Sequence, residues 1–163
     1  MLKKNHVYSS KIKSDPLVKK MINLLMKDGK KSKAEKVLFN SLQALDKSYP
    51  GQSIYIFYSA VIAVRQDIAV RVKPKPKKRK SNNSFDIYLP RVISPIRGLS
   101  LGIRSILKSS KDRSQQSFIP LWESLSEELL QASQNKGAVV ARRYSVSKLA
   151  SSNKRRVHFA IRR

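Results

Sequence analysis

The sequence contains no cysteine. Disulfide frameworks, thiolate zinc sites and cysteine nucleophiles are thereby excluded together. Acidic residues are scarce: 10 Asp and Glu stand against 35 Lys and Arg, a formal net charge of +25 over 163 residues. No apolar run approaches the roughly 20 residues of a membrane-spanning helix. The opening "MLKKNHVYSSKIKSDP" is basic but lacks the apolar stretch of a signal peptide, and it is short for an amphipathic transit peptide. With Met1 present, no removed presequence is expected. No H-E-x-x-H, G-x-S-x-G or dinucleotide-binding fingerprint occurs.

What is present suits one domain with a real core, since 40% of the residues are hydrophobic. A compact domain at +25 repels itself unless a polyanion neutralises it. Nucleic acid fits better than a membrane surface or an acidic protein, because spaced phosphates match spaced Lys and Arg. The cations are also spread along the chain and not confined to one polar face, which argues against a single amphipathic membrane helix.

The fold expected is mainly α: about six helices, with one protruding β-hairpin between helices three and four. Residues 1–14 read as a basic arm and 15–163 as a single domain. Asp15-Pro16 is an N-cap followed by a first-turn proline. Leu17, Met21, Leu24 and Leu25 follow at helical spacing, and Asp28-Gly29 is expected to end that helix. Ser32 with Glu35 has the form of a capping box for a second helix buried along Ala34, Val37, Leu38, Ser41, Leu42 and Leu45. A third helix presents Ile54, Phe57, Ala60, Val61 and Val64.

The period then changes to two. "DIAVRV" and "FDIYLPRVIS" alternate like strands around "KPKPKKRKSNNS", giving a hairpin arm at about 67–92. Seven of the ten residues 71–80 are basic and two are proline, so this tip cannot form a helix. Ser94-Pro95 opens a fourth helix with Ile96, Leu99, Ile103, Ile106 and Leu107 inward, and "KSSKDRSQQS" reads as a loop. Ser117 is placed as the cap of a fifth helix burying Phe118, Leu121, Trp122, Leu125 and Leu129, with Glu123, Glu127 and Glu128 outward. Gly137 ends it, "GAVVARRYS" reads as extended or looped, and a last helix is expected over about 146–156.

Gly29-Lys30-Lys31-Ser32 faintly resembles the end of a P-loop. That motif needs a glycine where this chain has Leu24, a Ser or Thr directly after its lysine, and a preceding strand. The remaining reading puts Lys30, Lys31 and Lys33 at a helix N-terminus, where the dipole disfavours cations and a bound phosphate would resolve the conflict. Arg97, Arg104, Lys108 and Lys111, spaced 7, 4 and 3, form one stripe along a helix of about 3.6 residues per turn. The hairpin tip has lysines but no aromatic before Phe85, which suits backbone contact rather than base stacking. His6 and His158 have no carboxylate nearby in sequence and read as structural or RNA-facing. The reading is therefore of a non-enzymatic protein. Charge alone leaves two partners open: an RNA, or DNA packaged by a nucleoid protein.

The segment "LVKKMINLLMKDGKKSKAEKVLFNSLQAL" resembles the opening of the small-ribosomal-subunit protein seven family, with its "DGKKS" turn. "RVISPIRGLSLGIRSILKSSKDR" and "LSEELLQASQNKGAVVARRYSVSKLASSNKRRVHFAIR" are similar to its middle and closing patterns, so the resemblance covers about residues 15–160. The tip departs: the family's "V-G-G" is replaced by "KPKPKKRKSNNS", and only Pro90 keeps an obvious counterpart. The resemblance implies a constituent of the small subunit that binds the 3′ domain of its rRNA and nucleates head assembly. The hairpin would lie near the exit-site tRNA and the mRNA exit path. Neighbouring head proteins are the other implied partners; no cofactor, metal, membrane or small-molecule substrate is implied. The resemblance implies rRNA contacts at Lys30, Lys31 and Lys33, at Arg71, Arg91 and Arg97, and at Arg142, Arg143, Asn153 and Lys154; Arg104, Lys108 and Lys111 of the stripe, with Lys73, Arg113 and Lys148, complete the expected set. The divergent hairpin points to an organellar copy, mitochondrial in the first instance, with plastid and bacterial cytoplasm as alternatives.

Overall fold

A computed structural model describes residues 14–73 and 87–157. The described part has six helices: α1 (Pro16–Leu25), α2 (Lys31–Ser48), α3 (Ser53–Val64), α4 (Pro95–Ser117), α5 (Leu121–Ser133) and α6 (Ala138–Ser152). Strands β1 (Ile68–Lys73) and β2 (Ile87–Val92) form one antiparallel hairpin between α3 and α4, and a 3₁₀ turn (Lys154–Arg156) follows α6. This is the mainly α architecture with an inserted hairpin that the hydrophobic periods indicate.

Helix α1 begins where Asp15 accepts from the amides of Leu17 (2.7 Å) and Val18 (3.4 Å). It stops at Leu25, four residues before Gly29, and both Asp28 (φ 53°) and Gly29 (φ 71°) take left-handed backbone in the turn. Gly29 thus shapes the turn instead of ending the helix. Helix α2 starts at Lys31 with Lys30 at the N-cap and no side-chain cap, so Ser32 is already inside the helix and the capping box is not built.

The core gathers on α5, which packs against α2, α3 and α4. Leu125 and Leu129 are fully buried among Met21, Leu38, Phe57, Ile103 and Ile106. The buried hydroxyls of Ser41 and Ser110 donate to Leu38 O and Ile106 O, both at 2.8 Å, and so avoid an unpaired polar group.

Five expectations are corrected here. "KSSKDRSQQS" is helix, not loop: nothing in it breaks a helix, and the break waits for the left-handed Phe118, two residues before Pro120. Ser117 is accordingly the last residue of α4 and not a cap for α5. Phe118, expected in the core, lies in left-handed backbone at the end of α4 and is 95% exposed; Trp122 is half-buried. Glu128, expected on the outer side, is 2% exposed. "GAVVARRYS" is the first half of α6, because burial of Val139 and Val140 outweighs their weak helix preference. Smaller differences are that Ile96 lies on the exposed side of α4 and Ile54 is half-buried while Ile56 is buried.

Two glycines fix where the hairpin leaves the bundle. A Cβ on Gly98 would sit 2.2 Å from Gln66 O, and one on Gly102 would sit 3.0 Å from Val64 O. Helix α4 therefore lies directly on the backbone linking α3 to β1. The ladder starts just beyond, with Ile68 opposite Val92 and Ala69 opposite Arg91.

Candidate nucleic-acid interface

The lysines at the first turn are all exposed. Backbone bonds from Lys30 N to Lys27 O (3.0 Å) and from Lys31 N to Gly29 O (2.8 Å) hold a tight link, after which Lys31 and Lys33 occupy the first turn of α2. That turn carries no acidic residue and no side-chain cap. Three cations beside the positive end of a helix form a local anion trap. The P-loop reading fails structurally as well, since helix α1 precedes this turn.

The second group lies on α4. Arg97, Arg104, Lys108 and Lys111 are exposed as the stripe requires. Arg104, Lys108 and Lys111 line one shallow hollow of about 340 Å³ with Leu24 of α1, Leu107, Asp112 and Gln115. Cations on the rim and two leucines between the helices can take a phosphate and the flat of an adjoining sugar or base.

The third group lies at the hairpin base. The pairing of Ala69 with Arg91 and of Arg71 with Leu89 puts Arg71 and Arg91 diagonally on one face of the ribbon, both exposed. Lys73 pairs with Ile87 through the backbone. The 3₁₀ turn packs against β2, so exposed Lys154, Arg155 and Arg156 join this group. Arg155 and Arg156 were not singled out by sequence, although the run "NKRR" carried the signal. Asn153 spends its side chain locally: Nδ2 donates to Leu149 O (2.9 Å), closing the end of α6, and Oδ1 accepts from Arg156 (3.2 Å). Arg142 and Lys148 are exposed on α6.

Two of the arginines face the protein. Arg143 Nη1 donates to Ala63 O at 2.6 Å, with Asp67 3.9 Å from Nη2. This satisfies a carbonyl at the C-terminal end of α3, where a cation is also favoured by the helix dipole. Arg113 reaches from α4 to α5: Nη1 donates to Glu127 (2.7 Å), Nη2 donates to Gln131 (3.2 Å) and lies 2.6 Å from Glu128 Oε1. The last contact pairs charges without an aligned hydrogen bond to that oxygen. The tip "KPKPKKRKSNNS", His6 and His158 lie outside the described residues. Among the described residues, no group of three or more His, Asp or Glu is placed to hold a metal, and no helix is long and apolar enough to cross a membrane.

Comparison with known proteins identifies the family. The family model for ribosomal protein S7p/S5e matches residues 1–154. The chain is 30% identical over 158 residues to small ribosomal subunit protein uS7 of Sulfurihydrogenibium sp., covering 97% of this chain and 95% of that one. It is 33% identical over 149 residues to uS7 of Vibrio campbellii, covering 91% and 88%. It is 28% identical over 164 residues to uS7 of Onion yellows phytoplasma, covering 98% and 99%. With matches of this extent laid over a helical bundle whose free cations gather on its outer turns, the chain belongs to the ribosomal protein S7p/S5e family.

Proposed function

We propose that this ribosomal protein binds the 3′ domain of small-subunit rRNA and acts as a scaffold on which the head of the subunit assembles. The observation that carries the reading is the arrangement of exposed cations on separate elements: the α1–α2 turn, the α4 stripe, and the hairpin base with the 3₁₀ turn. Each group meets phosphates of a different RNA segment. A rigid core then holds together RNA helices that would otherwise repel one another.

In this reading Lys30, Lys31, Lys33, Arg71, Lys73, Arg91, Arg97, Arg104, Lys108, Lys111, Arg142, Lys148 and Lys154 contact RNA. Arg113, Arg143 and Asn153 hold the elements that present them. The hairpin arm lies near the exit-site tRNA and the mRNA exit path. The ribosome is organellar, and mitochondrial in the first instance; plastid and bacterial cytoplasm are the alternatives, and the relatives named above are bacterial.

Family membership favours RNA over the nucleoid reading of the same charge. Filter binding of the purified chain to a 3′-domain rRNA transcript and to duplex DNA, at rising salt, separates the two. The transcript is expected to bind more tightly at every salt concentration, with log K falling by about 0.7–0.9 per phosphate neutralised for each tenfold rise in salt. Equal affinity for both would support DNA packaging instead.

A further inference from the structure

Residues 114–135 contain no lysine and no arginine, the longest such interval in a chain of +25, and they carry Glu123, Glu127 and Glu128. They form the end of α4, the α4–α5 corner and all of α5. Phe118 stands at this corner, 95% exposed. Isolated exposed apolar residues are common and need no explanation. Phe118 differs in its backbone, since its φ of 54° is a conformation that glycine or asparagine would adopt at lower cost. The corner is also built firmly. Ser114 Oγ donates to Ile119 O at 2.6 Å, and Pro120 opens α5. Ile119 and Trp122, close by in sequence, are half-exposed.

We propose that this corner is a docking site for another protein of the same particle: a basic polypeptide whose apolar socket receives the Phe118 ring and whose Lys or Arg meets Glu123. Charge selects the occupant. Glu127 and Glu128 are paired with Arg113, which leaves Glu123 as the unpaired carboxylate of an interval that offers a phosphate backbone no cation. A second copy of this chain would bring two bodies of +25 together. A basic protein segment gains from both the ring and the carboxylate. The inference rests on the ribosomal reading for the particle in which the partner is found, and the experiment separates the two.

Particles are assembled with the photo-crosslinker p-benzoylphenylalanine in place of Phe118, and in parallel in place of Lys30. After irradiation, the adduct at position 118 is expected to survive RNase. Its crosslinked peptide should belong to a different protein of the particle, with Lys or Arg within a few residues of the attachment point. Glu123→Gln should lower the yield several-fold, and Phe118→Gly should leave the melting temperature unchanged or raised. An RNase-sensitive adduct means that a base stacks on the ring and overturns the proposal. So does an adduct to a second copy, or no adduct at 118 while position 30 still crosslinks rRNA. Loss of the rRNA adduct at position 30 as well would overturn the ribosomal reading and this inference with it.

Discussion

Arg113 of α4 lies 2.6 Å from Glu128 of α5, a carboxylate buried to 2% exposure in a protein whose other charges mostly face water. The pair joins the two helices that carry the α4 stripe and the core centre. Removing the arginine alone leaves a buried charge uncompensated. Arg113→Ala is expected to destabilise the fold by about 2–3 kcal/mol, the low side of buried-pair losses because the guanidinium is partly exposed. The double variant Arg113→Met with Glu128→Leu should recover most of that loss. Urea unfolding of the single and double variants measures both.

Gly98→Ala should cost about 2–3 kcal/mol, because the new methyl meets backbone at Gln66 O and not a side chain that can turn away. Gly51→Ala is the control. Nothing lies within 4 Å of its Cβ, so only the positive φ (76°) is penalised, at about 1 kcal/mol. Thermal melts that gave equal losses would show that α4 does not press on the chain at the hairpin base.

Adjacent arginines on α6 should separate fold from binding. Arg143→Ala removes the donor to Ala63 O and is expected to cost about 1.5–3 kcal/mol of stability. Arg142→Ala, at an exposed position, should stay within about 0.5 kcal/mol and act on RNA affinity instead. Parallel melting and rRNA filter-binding curves would reveal a reversed pattern.

At the α1–α2 turn, stability and affinity should move in opposite directions. Replacing Lys30, Lys31 and Lys33 with Glu places favourable charge at the start of α2 and should keep or raise the melting temperature. The same variant should lose roughly 2–3 from the slope of log K against log salt, if each lysine neutralises one phosphate. An unchanged slope would remove this turn from the interface.

Much of this organisation can be read from residue order, and the exceptions have physical causes. Asp15-Pro16 announces α1 because capping is local chemistry. The alternation in "DIAVRV" announces β1 because successive side chains of a strand point to opposite sides, giving period two. The run from Lys108 to Ser117 looks like a loop because it is polar, yet it continues as helix with its polar side in water and Ser110 and Arg113 turned inward. Val139 and Val140 look extended by preference and are helical through burial. Glu128 reads as surface because carboxylates are seldom buried unpaired, and its partner stands 15 positions away, beyond the reach of any local pattern. In the candidate interface the exposed lysines are legible because their clustering is visible in one dimension. That Arg113 and Arg143 face the protein is not, since it depends on which carbonyl or carboxylate the fold brings alongside.

The central claim is that this chain works inside a small ribosomal subunit by holding its RNA. The most direct test sediments tagged protein from a lysate of the source cells through a sucrose gradient, with and without prior RNase. The account predicts co-migration with the small subunit that RNase abolishes. Sedimentation with DNA, or free protein at the top of the gradient at low salt, would contradict it.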